Sequence, residues 1–187
     1  YAVPNNNPFV DGAGGNCDEV WSRGWHNPHG LFIDDGSSWT LLADRGEFER
    51  EELNAELIFD GGLNYGWRCW EGSFEHGGCT FATTPPIYEY THAEGCHIVG
   101  GVVSRYAGQA PLWNQYLFAD HCRSDQLLRL PIDALADPVS TMTIEGLDTT
   151  KLIWSALGNN YAGETFIGAA SFSPSGPVTL YRLIVSP

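Results

Sequence analysis

Glu47, Glu49, Glu51 and Glu52 crowd into the stretch 47–52, directly behind Gly46. Carboxylates and glycine carbonyls this close suit a hard cation such as calcium, which takes roughly six to eight oxygen ligands. The same run also reads as a solvated acidic turn, and the acids alone do not choose between the two. His26 and His29 form a second candidate, because imidazole binds metals and titrates near neutrality. Asn27-Pro28 keeps them off a common helical face, so hydrogen-bonded structural roles are expected. His92 and His97 flank Cys96 and are expected to pack loops. Trp21, Trp67, Trp70 and Trp113 are expected in a hydrophobic core rather than as sugar-stacking platforms. No G-x-S-x-G, phosphate loop or H-E-x-x-H pattern occurs, which gives hydrolase and nucleotide chemistry no foothold.

The five cysteines are Cys17, Cys69, Cys79, Cys96 and Cys122, and none shows the C-x2-C spacing of a zinc knot. Cys69 and Cys79 enclose a short Gly-rich loop, and Cys96 and Cys122 flank two strand-like runs. Disulfides 69–79 and 96–122 are therefore expected, which implies a periplasmic or secreted setting. The alternative is five buried thiols in a reducing compartment. Cys17 is left over, either as a thiol or paired outside this chain.

Net charge narrows the partners. Nine Lys+Arg against 23 Asp+Glu give −14 over 187 residues. Phosphate binding needs clustered cations, so neither nucleic acid nor an anionic membrane is an expected partner. No apolar run approaches the roughly 18 residues of a membrane span. With 43% hydrophobic residues the chain is expected to fold around a core.

The elements that must carry these residues are short. Aromatic and β-branched runs alternate with Gly, Pro and Asp turns: Glu19–Trp21, Leu31–Ile33, Trp39–Leu42, Glu56–Phe59, Ile87–Tyr90, Ile98–Tyr106, Gln115–Ala119, Gln126–Leu130, Thr141–Glu145, Thr165–Ala169 and Val178–Ile184. Regular short strands mean an all-β fold: sandwich, barrel or propeller. Residues 50–57 have some helical character, ended by Asp60-Gly61-Gly62.

Several ordered stretches resemble one family. Glu19-Val20-Trp21 with Gly24-Trp25-His26-Asn27-Pro28 is similar to its E-I-W…G-x-R-N-P segment. Ala43-Asp44-Arg45-Gly46 with Glu51-Glu52-Leu53-Asn54 resembles G-D-x-G…E-E-I-N. Gly61-Gly62-Leu63-Asn64-Tyr65-Gly66-Trp67, Cys69, Glu71-Gly72 and Cys79 resemble G-G-x-N-Y-G-W…C-x-E-G…C. Pro86–His92, Gly95-Cys96, Ile98–Gly101 and Tyr116–Cys122 extend the series. The family is the pyrroloquinoline quinone (PQQ)-dependent sugar dehydrogenases, with their Hedgehog-interacting-protein-like relatives.

The resemblance implies part, about three to four blades, of a six-bladed β-propeller, with residues 1–187 as the C-terminal portion of one domain. The N-terminal propeller half, or another chain, is then the expected partner, and an aldose the expected substrate. The catalytic His base belongs to that N-terminal half and has no counterpart here. By position, the Gly46 and Glu47 carbonyls match holders of the PQQ-bound calcium. Glu52 and the Tyr65 carbonyl match a structural calcium. His26-Asn27 stands where the family has an Arg-Asn pair on the quinone, and Arg105 lies near another basic contact. Residues 166–177 contain no Lys or Arg, where catalytic members place cations for the cofactor carboxylates. Two functions follow: a PQQ- and calcium-dependent aldose dehydrogenase, or a non-catalytic secreted propeller that binds or assembles.

Overall fold

The computed structural model describes residues 2–12, 15, 17–173 and 176–185. Its strands form three twisted antiparallel sheets and one small hairpin. The first sheet runs β1 (Asn27–Asp34), β2 (Trp39–Arg45), β3 (Arg50–Leu57) and β6 (Tyr88–Thr91). Between β3 and β6, β4 (Trp70–Glu71) and β5 (Phe74–Glu75) make the hairpin closed by Cys69–Cys79, whose Cα atoms lie 5.9 Å apart. The second sheet holds β7 (Ile98–Val103), β8 (Gln115–Asp120), β9 (Gln126–Pro131) and β10 (Ser140–Thr143). The third holds β11 (Leu152–Asn159), β12 (Thr165–Ser171) and β13 (Val178–Arg182). These are three consecutive propeller blades, with β1, β7 and β11 as adjoining inner strands. Short 3₁₀ turns at Ala107–Leu112 and Thr149–Lys151 are the helical elements among the described residues.

Burial follows position in the row of blades. The middle blade is covered on both faces, so β7 and β8 read as continuous apolar runs rather than alternating ones. Leu41, Ala43, Leu53, Tyr116 and Phe118 join the first and second blades. Val99, Ala119, Leu127, Trp154 and Ile167 join the second and third. Each terminal blade keeps one apolar face in solvent. Leu31 and Ile33 are 60% and 54% exposed on the first, and Val178 and Leu180 are 74% and 68% exposed on the last. A propeller arc that lacks its neighbours exposes such faces.

Three expectations are corrected. Residues 50–57 form a strand, because Leu53 and Ala55 alternate with Glu52, Asn54 and Glu56 and pair along β2. That burial pattern outweighs the modest helical preference of Glu, Arg and Leu. Glu19–Trp21 is no strand; Arg23 makes only an isolated bridge to Asn64. The core tryptophan is Trp154, fully buried on β11, a strand absent from the expected series. Trp113 is 47% exposed, and Trp21, Trp67 and Trp70 are half-buried.

Each inner strand carries a bulge: between His29 and Leu31, between Val99 and Val102, and between Trp154 and Ala156. One extra residue reverses the side to which later side chains point. Consequently His29 pairs with Ala43 on the side facing the second blade, while Leu31 pairs with Leu42 on the open flank. The bulges also bring β1 and β7 into backbone contact. A Cβ on Gly30, whose φ is +76°, would lie 2.5 Å from the Gly100 Cα.

Candidate functional site

Acidic side chains build the site by accepting backbone N–H groups. The buried Asp44 carboxylate on β2 accepts the amides of His26 (2.9 Å) and Asn27 (2.7 Å), which fixes the entry of β1. Burial pushes Asp44 up despite these donors. The His26 ring pairs through Nδ1 with the Arg45 carbonyl at 2.6 Å. Its Nε2 stands 3.8 Å from the Glu47 carboxylate, and its ring packs on Trp67 with centroids 4.3 Å apart.

Glu71, 1% exposed on β4, shapes the loop of residues 46–50. Its carboxylate accepts the amides of Phe48 (3.1 Å), Glu49 (2.7 Å) and Arg50 (2.7 Å), and pairs with His76 Nε2 at 3.0 Å. Burial raises its pKa, but these donors outweigh burial and hold it below the usual carboxylate range. Gly46 is required where this loop closes. A Cβ there would fall 1.8 Å from the Arg50 carbonyl oxygen and 2.1 Å from the Glu71 carboxylate.

Glu52 occupies the centre of a carboxylate row, paired across the sheet with Asp44 on β2 and Glu89 on β6. It accepts the Gly72 amide and the Asn54 side-chain amide. Glu89 in turn accepts the Ser73 amide at 2.6 Å, so the disulfide-tied hairpin docks on two acids. Burial, with the charges of Asp44 and Glu89, pushes Glu52 up to about 7. The fully buried Asn54 leaves its Oδ1 without a hydrogen-bond partner. Buried carboxylates beside a spare amide oxygen are a donor set that fits calcium.

The site residues expected from sequence distribute unevenly. His26 and Asn27 do stand beside Gly46 and Glu47. Glu52 lies one row inward, next to Asp44. The Tyr65 hydroxyl donates to Glu56 at 3.2 Å and its ring stacks on Trp25, which anchors the segment that carries the Tyr65 carbonyl. Arg105 is not with the others; its guanidinium bonds Asp34 (2.6 Å) and Asn114 at the far ends of the inner strands. PQQ is an anion, and the described residues around His26 and Asn27 offer Arg45 and Arg68, both exposed, as nearby cations. These residues fit the calcium better than they fit the quinone carboxylates.

Both expected disulfides form; the Cys96 and Cys122 Cα atoms lie 5.7 Å apart, and Cys17 is exposed outside either bridge. Asp120, fully buried, accepts the amides of Cys96, His97 and Cys122 and the Tyr90 hydroxyl (2.7 Å). Glu51 accepts the Ile98 amide at 2.8 Å, and its other oxygen lies 3.1 Å from His92 Nε2. Burial pushes Glu51 up to about 7, and Asp120 adds to the rise. Sequence reading assigned no role to Asp44, Glu71 or Asp120. The signal was available, since each lies in a stretch carrying the family resemblance.

Comparison with known proteins decides the family. The model of the family described as "Glucose / Sorbosone dehydrogenase" matches residues 2–149. The chain belongs to the glucose/sorbosone dehydrogenase family. Within and around it, the HIPL2 protein of Arabidopsis thaliana is 32% identical over 136 residues, covering 64% of this chain and 19% of that protein. Aldose sugar dehydrogenase YliI of Escherichia coli K12 is 24% identical over 140 residues, 70% of this chain and 36% of that protein. A solved glucose dehydrogenase superposes with a TM-score of 0.78 at 22% identity, over 100% of this chain and 52% of its own. The chain thus spans about half of that structure and less of the curated relatives. Its three blades are part of the six-bladed family propeller. Among the described residues, no helix is long and apolar enough to cross a membrane.

Proposed function

We propose that this chain is the C-terminal half of an aldose-dehydrogenase-like propeller, with a calcium-dependent site at the entry of β1. The observation that carries the reading is the contact between His26 and the 45–47 loop: Nδ1 to the Arg45 carbonyl at 2.6 Å and Nε2 to Glu47 at 3.8 Å. Two segments that the resemblance assigns to one cofactor, His26-Asn27 and Gly46-Glu47, are held side by side by Asp44 and Glu71. PQQ, when bound, supplies the two-electron acceptor for sugar oxidation. The residues of this chain would hold the cofactor: Asn27 through its amide, His26 through an imidazole nitrogen, and the Gly46 and Glu47 carbonyls through its calcium. Asp44, Glu52 and Asn54 supply hard oxygens to a structural calcium. The catalytic base and the remaining blades come from the N-terminal half. The two disulfides support a secreted or periplasmic setting.

A second reading, a non-catalytic secreted binding propeller, is favoured by two observations. Arg105 is committed to Asp34, and His26 stands in place of an arginine. One experiment separates the two. The intact protein is supplied with calcium and PQQ, and aldose-dependent dye reduction is followed. Reduction that needs both supplements supports the dehydrogenase; none at millimolar sugar leaves the binding propeller.

A further inference from the structure

Three of the six histidines converge from separate strands at the entry of the inner strands. His29 comes from β1, His97 precedes β7, and His121 follows β8. The His29 and His97 ring centroids are 4.6 Å apart, and those of His97 and His121 are 4.1 Å apart. Two imidazoles on one ion, each with a metal–nitrogen bond of about 2.1 Å, have centroids roughly 4.5–5.5 Å apart. The His29–His97 spacing lies within that range, and the His97–His121 spacing is about 0.4 Å short of it, so one ring must shift outward to share an ion.

Each ring has a structural reason to be there. The bulge at Gly30 turns His29 toward the second blade, whereas an unbulged strand would turn it to the open flank with Leu31. His97 and His121 are joined by a 3.0 Å bond from the His121 amide to the His97 carbonyl. The Cys96–Cys122 disulfide clamps the same two segments, and Asp120 gathers the amides of Cys96, His97 and Cys122 beneath them. The His97 Nε2 is buried and has no hydrogen-bond partner. A buried ring nitrogen without a partner is costly unless something takes its lone pair or proton.

We propose that His29, His97 and His121 form a binding site for a divalent transition metal ion, separate from the calcium-type oxygens of Asp44 and Glu52. Imidazole donors suit zinc and copper, where carboxylate and carbonyl donors suit calcium. The cross-sheet clamp presets His97 and His121, and the exposed His29 completes the set by a turn of its ring. That turn is needed. Among the described residues, the one trio of ligand atoms mutually within 4.8 Å is Cys96, Asp120 and Cys122, and both cysteines are spent in the disulfide. The charged neighbours of the site are Asp120 and Arg45, which oppose one another. The site does not depend on the dehydrogenase reading, because it draws on no cofactor contact.

The test is titration calorimetry of the intact protein with zinc chloride, in buffer holding excess calcium to occupy oxygen sites. One zinc per chain is expected. His29→Ala and His121→Ala each weaken binding at least about 10-fold, since each removes a direct ligand. His92→Ala, which alters a histidine outside the trio, leaves binding unchanged. Cupric ion binds more tightly than zinc, in Irving–Williams order, and its electron paramagnetic resonance spectrum shows coupling to imidazole nitrogens. Because His29 is exposed, its variant keeps the fold even where His121→Ala does not. The proposal is overturned by absence of stoichiometric zinc binding, or by binding that survives His29→Ala. Loss of binding in His92→Ala of the same size as in His29→Ala overturns it as well.

Discussion

Arg105 and Asp34 close a 2.6 Å ion pair at the end of β1 farthest from His26 and Asn27. Seven residue-to-residue steps along β1 separate the two ends, roughly 20 Å. The pair therefore pins the β1–β2 turn to the segment after β7, and Arg105 acts as a structural cation. Asp34 is 6% exposed, so removal of its partner strands a buried charge. Arg105→Met is expected to lower stability by about 2–4 kcal/mol in urea unfolding. Calcium affinity is expected to stay within about twofold. A fall in calcium affinity larger than the fall in stability would place Arg105 at the site after all.

Glu71 is expected to matter as much to the 46–50 loop as any residue within it. Glu71→Gln keeps the volume but turns the charged acceptor of the Phe48, Glu49 and Arg50 amides into a neutral one. A loss of about 1–3 kcal/mol follows from the weakened hydrogen bonds. Amide hydrogen exchange at Phe48, Glu49 and Arg50 should rise together, while exchange in β8 rises only with global stability. Unchanged protection of those three amides would contradict the assignment.

The raised carboxylates set a pH dependence with a definite sign. Glu51 and Glu52 titrate near 7 in the folded chain and near 4.5 when unfolded. Their neutral forms favour folding, so their contribution is fully present below pH 4.5 and is lost as pH rises through 7. Each costs at most about 3 kcal/mol once ionised. His97 works in the opposite sense, since burial lowers it to about 4 and its stabilising neutral form is lost as pH falls from 6.5. The two effects are separable in a variant. Thermal midpoints of Glu51→Gln minus those of the parent should increase steadily from pH 4.5 to 7.5. A flat difference would exclude an ionised, buried Glu51.

Calcium removal should follow the same curve. A divalent cation beside Asp44 and Glu52 favours their ionised forms, so it stabilises most where they would otherwise repel. Chelation is expected to lower the melting temperature by several degrees at pH 7.5 and by little at pH 5. Equal effects at both pH values would argue against a carboxylate-bound ion.

The Gly30–Gly100 contact allows a sharper packing test. Gly30→Ala must adopt φ +76° and place a methyl 2.5 Å from the Gly100 Cα. A cost of about 2–4 kcal/mol in chemical unfolding is expected, from the strain and the displaced β7 together. Gly158→Ala, with open space where its Cβ would stand, serves as the comparison and is expected to cost under about 1 kcal/mol.

Most of the fold could be read from residue patterns where one blade face is buried and the alternation is plain. β2, β6, β8, β9, β12 and β13 fall within a residue or a few of the expected runs. The strand at 50–57 was obscured because its outward positions are Glu52, Asn54 and Glu56, buried acids and amide rather than apolar residues. β11 was missed because Ser155, the bulged residue, breaks its alternation beside Trp154. Both disulfides were legible from spacing. The site was half legible: the resemblance picked out His26, Asn27, Gly46, Glu47 and Glu52. It did not reveal that Asp44 and Glu71 hold those segments through backbone amides, since an anchoring acid looks like any other in a chain of charge −14. Nor could spacing show His29 beside His97, 68 positions later, because that meeting depends on a bulge.

The three bulges divide each inner strand into two lengths whose side-chain directions are set independently. On the far side, Phe32, Val102 and Leu157 keep the alternation that wedges blades together. On the entry side, His29 and Val99 answer to a different register. A substitution at the exposed His29 therefore leaves the wedge untouched. The rim of such a ring can trade one set of ligating groups for another while the hub that bears the load stays the same.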